Sequence, residues 1–292
     1  MTPRPAKFLP PGDKCVLVTG ASSGLGRACA LQLARVGFRV FAGVRRLPQG
    51  EELAALSPSG RIRPVRIDVT DEESVAAAVK EITGETGGAG LWGLVNNAGI
   101  AVSAPLECVT PERMRQQFDT NVIGQLTVTQ GALPLLRRSG GRVVNVTSGL
   151  GSVAMPFLGA YAAAQFAKEA MSDVLRRELR RSGVGVCVVQ PGAITTPIWG
   201  KLTDAARRDF DDVPPEAAAP YRTAFGRFLD ASDQQTDTGT RPEDFARTVF
   251  RALTSDRPRT RYQVGKDARS LYLLKRVLSD RAMDRRLRAI TD

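Results

Sequence analysis

Short runs of valine, leucine and isoleucine alternate along most of this chain with amphipathic stretches long enough to be helices, and that rhythm limits the fold more than any other feature. It predicts strands over residues 14–19, 39–44, 63–67, 91–95, 142–147 and 184–190, and helices over 24–37, 111–136 and 161–181. A further helix is expected to open on Thr70 as N-cap, with Glu73 three residues on in capping-box spacing. Strands that repeatedly feed helices need long crossover connections, which suit a parallel sheet covered on both faces. The expected fold is α/β: a single-domain, doubly wound, Rossmann-like parallel sheet with helices on both faces, spanning residues 14–292. Residues 1–13, with Pro3, Pro5, Pro10 and Pro11 and no long apolar run, read as a flexible arm rather than a secretory signal.

After Pro191 the rhythm weakens. Residues 211–215 and 230–240 are polar, turn-rich stretches around a short helical candidate at 220–229. Order resumes with a helix start at Arg241-Pro242-Glu243, a short strand at 261–264 and a basic helix at 267–290. Leu271, Leu274, Leu278, Met283, Leu287 and Ile290 in that helix run beside Arg269, Lys275, Arg276, Arg281, Arg285, Arg286 and Arg288. Packing against its own domain with a solvated charged face is the expectation, with contact to an anionic membrane as the lesser alternative.

Composition removes several chemistries. The 292 residues include no histidine, so Ser-His-Asp and Cys-His nucleophile arrangements and imidazole zinc sites are excluded. Proton transfer is left to Tyr, Lys, a carboxylate or water. Cys15, Cys29, Cys108 and Cys187 have no C-x-x-C spacing and read as core thiols in a reducing, cytoplasmic setting; no metal chemistry is expected. The net charge of +11 is uneven, because the last 37 residues hold eleven Lys/Arg against five Asp/Glu. Without aromatic interleaving or a recognised module, that charge does not point to nucleic acid.

The chemistry-bearing residues lie at strand ends. Thr19-Gly20-Ala21-Ser22-Ser23-Gly24-Leu25-Gly26 joins the first strand to the first helix, where glycines let the backbone approach a phosphate and the helix offers unpaired N–H groups. Asp68 and Val69 follow strand three, Asn96-Asn97-Ala98-Gly99 follow strand four, and Asn121 lies in the long helix. Ser148 follows strand five, Tyr161 comes thirteen residues later, and Pro191-Gly192 follow strand six, with Ile194 and Thr196 just beyond. In this order the motifs resemble the classical short-chain dehydrogenase/reductase family, over about residues 14–200.

The resemblance implies a nicotinamide dinucleotide against Gly20, Ser22, Ser23, Gly24, Leu25 and Gly26, with further contacts at Asp68, Val69, Asn97, Ala98, Gly99, Pro191, Gly192, Ile194 and Thr196. It also implies Ser148 orienting the substrate oxygen, Tyr161 passing its proton and Asn121 supporting a water-linked proton path. Where an NAD-preferring member would carry an acidic group, this chain has Val44 followed by Arg45 and Arg46, whose guanidinium groups suit the 2′-phosphate of NADP(H). The segment Phe38–Arg45 is similar to the branch of the family that acts on steroids, retinoids and hydroxybutyrate. Helices over 111–136 and 161–181 correspond to those that pair family members into homodimers or homotetramers.

One departure stands out. The family lysine four residues after the tyrosine is Gln165 here, in Tyr161-Ala162-Ala163-Ala164-Gln165. An amide holds a ribose hydroxyl but supplies no charge to favour the phenolate. Lys168 lies about 10.5 Å along the axis from Tyr161, a gap its stem spans only in part, so it is expected on the helix surface or at a subunit interface, with substitution for the missing lysine as the lesser alternative. The leading expectation is an NADP(H)-dependent oxidoreductase acting on a carbonyl or secondary alcohol of a fairly apolar small molecule. Residues 198–240 would cover that substrate, and Phe210, Tyr221, Phe225, Phe228 and Leu229 would either line its pocket or pack the cover itself. The alternatives are a dehydratase, isomerase or cyclase on the same site, or a cofactor-binding protein without turnover.

Overall fold

In the computed structural model, which describes residues 9–194, 198–234 and 240–292, the aliphatic runs form strands β1 (Cys15–Thr19), β2 (Arg39–Val44), β3 (Ile62–Arg66), β4 (Gly93–Asn96), β5 (Arg142–Val146), β6 (Gly185–Pro191) and β7 (Arg261–Val264). All seven pair in parallel, in the order β3-β2-β1-β4-β5-β6-β7. Helices α1 (Gly24–Arg35), α2 (Leu47–Ala55), α3 (Glu72–Thr86), α4 (Pro111–Phe118), α5 (Gly124–Ser139), α6 (Gly159–Glu178) and α10 (Pro242–Thr254) make the crossovers. Strand residues alternate between two cores. Val16, Val18, Ala42 and Val144 pack with Cys29, Leu33, Phe245 and Val249, whereas Leu17, Phe41 and Val143 pack with Val75, Ile82, Val128 and Leu135. Each such buried aliphatic side chain contributes roughly 1.5–3 kcal/mol, so the doubly covered sheet is the rigid base on which strand-end residues are set.

The sheet order reverses between β1 and β4, and a ligand crevice opens outside the carboxyl ends of such strands. Beyond β6 come α7 (Ile198–Asp211), α8 (Pro215–Ala218) and α9 (Arg222–Gln234); the expected turn falls at 212–214, whereas the expected helix at 220–229 runs on through 230–234, and 235–239 lie outside the described residues. The ends of this excursion meet: Ile194 bridges Thr240, and the Thr240 N–H donates to the Ala193 carbonyl at 3.1 Å.

Several local expectations need correction. Asp71, not Thr70, caps α3, accepting the N–H groups of Glu73 at 3.0 Å and Ser74 at 3.1 Å, while Thr70 donates its hydroxyl to Asp68. A carboxylate beside the positive helix end outcompetes the neighbouring hydroxyl. The long helix is broken by a π turn over Asp119–Ile123. The basic terminal helix divides into α11 (Lys266–Val277) and α12 (Asp280–Leu287), because Leu278 is extended between them. Of the expected flexible arm, residues 1–8 lie outside the described residues, but the Leu9 N–H is held by the Thr254 carbonyl at 2.7 Å.

Candidate active site

At the tip of β1 the chain turns sharply into α1. Gly20 and Gly24 hold φ of +65° and +54°, which favour glycine, and a Cβ on Gly26 would lie 2.2 Å from the Gly20 carbonyl oxygen. The turn is braced from β4. Thr19 Oγ1 accepts the N–H groups of Asn97 and Ala98, both at 3.0 Å, and Asn97 Nδ2 donates to the Thr19 carbonyl at 2.9 Å. Ser23 precedes α1 without a side-chain cap, so the first N–H groups of the helix are not claimed by it. Ser22 is partly exposed and Ser23 exposed beside them, whereas the Leu25 side chain turns onto the core.

The far end of the crevice is set by β2 and β3. Val44 is buried, and Arg45 and Arg46 that follow it are exposed. Burial raises the Asp68 carboxyl, but hydrogen bonds from the Thr70 N–H and hydroxyl, together with the Arg45 and Arg66 charges, outweigh it and hold the group below its ordinary value. Arg45 therefore shares one electrostatic neighbourhood with Asp68. Val69 is 8% exposed and belongs to the second core.

The serine and tyrosine singled out in the sequence meet between β5 and α6. Ser148 leads into a 3-10 turn over Gly149–Gly151, its hydroxyl accepting the Leu150 N–H at 3.2 Å. Tyr161 stands in the first turns of α6 beside Ser148 and Gln165. Burial pushes its pKa up, and the polar groups of Ser148 and Gln165 oppose the shift without cancelling it. Gln165 is 2% exposed, and its Oε1 has no partner among the described residues. A buried acceptor left unsatisfied costs roughly 1–3 kcal/mol, so a hydroxyl donor is well matched to this position. The Asn121 side chain is engaged with the segment after β4: Oδ1 accepts the Ile100 N–H at 2.9 Å and Nδ2 donates to the Ile100 carbonyl at 3.0 Å. Its side chain clamps the segment after β4, with Gly99 packed against it.

On the other flank, Pro191 ends β6, and Gly192 donates its N–H to the Val264 carbonyl at 2.9 Å. A Cβ on Gly192 would meet the Asp267 carboxylate, which accepts the Ala193 N–H at 2.5 Å. Ile194 points into the first core, and Thr196 lies outside the described residues. Leu150, Leu158 and Leu202 form an apolar wall with Met155, Phe228 and Tyr161. Phe210, Phe225 and Leu229 are buried against Phe157, and Tyr221 donates its hydroxyl to Glu107 at 2.6 Å, so these members of the 198–240 segment pack the cover itself.

Two buried charges beneath the site had no clear signal in the sequence. Lys168 is 2% exposed, not on the helix surface, because its face of α6 turns to β5, where Nζ donates to the Val146 carbonyl at 2.5 Å. Glu169 accepts from Thr147 at 2.6 Å, Gln190 at 2.9 Å and Arg261 at 2.8 Å, joining β5, β6 and β7 to α6. No group of His, Cys, Asp and Glu among the described residues could hold a metal ion.

These features fit a dinucleotide: a turn that a single methyl would block, an uncapped helix end facing it, and an orphaned amide oxygen beside the phenol. Comparison with known proteins agrees. The profile of the family described as short chain dehydrogenase matches residues 14–207. The chain is 46% identical over 272 residues to a 3-amino-tetrahydro-pyrrolizinone reductase of Xenorhabdus hominickii, covering 93% of each chain. It is 39% identical to the 17-beta-hydroxysteroid dehydrogenase type 6 of Bos taurus, covering 89% of this chain and 83% of that one. Among solved structures, a short chain dehydrogenase from Burkholderia cenocepacia in complex with NADP superposes with a TM-score of 0.72 at 27% identity, over 94% of this chain and 98% of that one. Fold, strand-end residues and relatives converge, and the chain belongs to the short-chain dehydrogenase family of oxidoreductases.

Proposed function

We propose that the protein is an NADP(H)-dependent oxidoreductase that interconverts a carbonyl and a secondary alcohol on a fairly apolar small molecule, with Tyr161 as the acid/base. The observation that carries the reading is Tyr161 set beside Ser148 and Gln165 against the apolar wall. Exposed Arg45 and Arg46 at the tip of β2, with no acidic residue there, support the phosphorylated cofactor. The bound nicotinamide supplies or takes the hydride. Ser148 orients the substrate oxygen, Tyr161 gives it a proton in reduction or takes one in oxidation, and Gln165 Oε1 accepts a hydroxyl of the nicotinamide ribose. Leu150, Leu158, Leu202 and Phe228 exclude water from the reacting face.

Reduced, cytoplasmic thiols and a homodimer or homotetramer belong to the same reading, the latter supported by exposed Ile123, Phe166 and Val174 on the π turn and α6. The test is NADPH consumption across a panel of apolar carbonyls, beside Tyr161→Phe. Carbonyl-dependent oxidation of NADPH that the phenylalanine variant loses is expected; equal turnover by both proteins would refute the assignment. The neutral Gln165 favours one second reading, a non-redox enzyme, which product formation without change in nicotinamide absorbance would select.

A further inference from the structure

Lys168 lies two helical turns beyond Tyr161 and three residues beyond Gln165, on the same face of α6. It is sealed in the single chain, and its ammonium has one hydrogen-bond acceptor among the described residues, the carbonyl of Val146. Val146 closes β5, two residues ahead of Ser148. Tyr161 and Lys168 lean the same way along α6, so their heads keep roughly the axial spacing of their origins, about 10 Å. An ammonium removed from water onto one neutral acceptor is costly, and an aliphatic side chain would fill the same space without that cost. Burial pulls its pKa down to about 8, against the opposing pull of Glu169.

Other charges near this helix are engaged or remote. Glu169 is tied to Arg261 of β7, which also pairs with Asp173 of α6. On α4, Arg113 pairs with Asp209, while Glu112 and Arg115 are exposed, as is Asp119 on the π turn. Arg180 and Arg181, past the end of α6, are exposed, and β6 contributes the thiol of Cys187, which burial pushes up to about 11. Among the described residues, Lys168 is the buried cation on the Tyr161 face.

We propose that Lys168 supplies from beneath the site the positive charge that stabilises the Tyr161 phenolate, in place of a cation at position 165. The proposal rests on the oxidoreductase reading and names a positioning residue: Lys168 touches neither substrate nor cofactor and acts through the low-dielectric interior. A charge about 10 Å away at an effective dielectric near 20 shifts a phenol by about one pKa unit, or roughly tenfold in phenolate at a given pH.

The test compares Lys168→Met with the wild type in alcohol oxidation from about pH 6 to 10. While Lys168 is charged, below its pKa of about 8, the wild type should be roughly tenfold faster; as the lysine loses its proton, the ratio should fall toward one. A merely structural role lowers the rate by the same factor at every pH, and a ratio independent of pH would overturn the proposal. Lys168→Gln provides the same comparison should the methionine variant not fold. In cofactor-free protein, the melting temperature of the wild type should rise relative to the variant between pH 8 and 10.5, as the buried ammonium is relieved of its proton; no such rise would mean that no charge is held there, and would also overturn it. Absence of turnover by the wild type with any carbonyl or alcohol would sink the oxidoreductase reading and this proposal together, whereas turnover with a constant ratio sinks the proposal alone.

Discussion

Restoring a lysine at position 165 is the sharpest perturbation of this site. Gln165 lies beside the phenol of Tyr161 and is 2% exposed, so an ammonium there would act at short range through a poorly screening medium. An adjacent opposite charge lowers a partner's pKa by roughly 1–3 units, or ten- to a thousandfold in phenolate at neutral pH. Lys168 limits that gain. It lies three residues on along the same buried face, where side-chain origins are about 5–6 Å apart, and two unit charges at about 6 Å repel by roughly 3 kcal/mol at an effective dielectric near 20. One of the two amines should therefore be largely neutral at pH 7. Gln165→Lys alone is expected to speed alcohol oxidation about tenfold and move its pH profile about one unit toward acid, while Gln165→Lys combined with Lys168→Met approaches the upper end of the range. Steady-state rates from nicotinamide absorbance over a pH series provide the measurement. If the single and double variants superimpose on the wild-type profile while still binding cofactor, the electrostatic reasoning is wrong.

Three further outcomes follow from the geometry. Arg45→Ala should raise the KM for NADPH by ten- to a hundredfold, the loss of about 1.5–3 kcal/mol from a charge-assisted hydrogen bond, and leave NADH kinetics unchanged; an equal effect on both cofactors would remove the arginine from the 2′-phosphate. Gly26→Ala places a methyl 2.2 Å from the Gly20 carbonyl and 2.5 Å from Asn97 Nδ2, so thermal melts should show a loss of about 1–3 kcal/mol and titration a loss of cofactor binding. Tyr161 must be a phenolate to accept a proton, and burial holds its pKa above the ordinary 10.0, so oxidation rates should keep increasing beyond pH 10; a plateau at lower pH would show another group to be the base.

The sheet and the positions of Ser148 and Tyr161 are readable because their signals are local. Val16-Leu17-Val18 cannot be solvated, glycines at 20, 24 and 26 announce a turn no other residue fits well, and Ser148 and Tyr161 stand at the ends of unmistakable elements. What escaped depends on partners distant in sequence. Lys168 has a charge typical of a helix surface, and only the placement of α6 over Val146 buries it. Glu169 looks like an ordinary helix-surface residue until Thr147, Gln190 and Arg261 converge on it. The engagement of Asn121 depends on the loop after β4, which brings Ile100 to both ends of its amide. Asp71 and Thr70 are adjacent candidate caps, and periodicity alone does not choose between them.

The meeting of Ile194 with Thr240 has an engineering consequence. A segment whose two stems leave the scaffold side by side adds little loop-closure entropy whatever its length, since doubling it costs only about 0.6 kcal/mol. The helical cover between those stems is thus suited to grafting as a cassette from a relative of different appetite, and chimeras joined at these two points should keep the melting behaviour of the parent while inheriting the donor's choice of molecule.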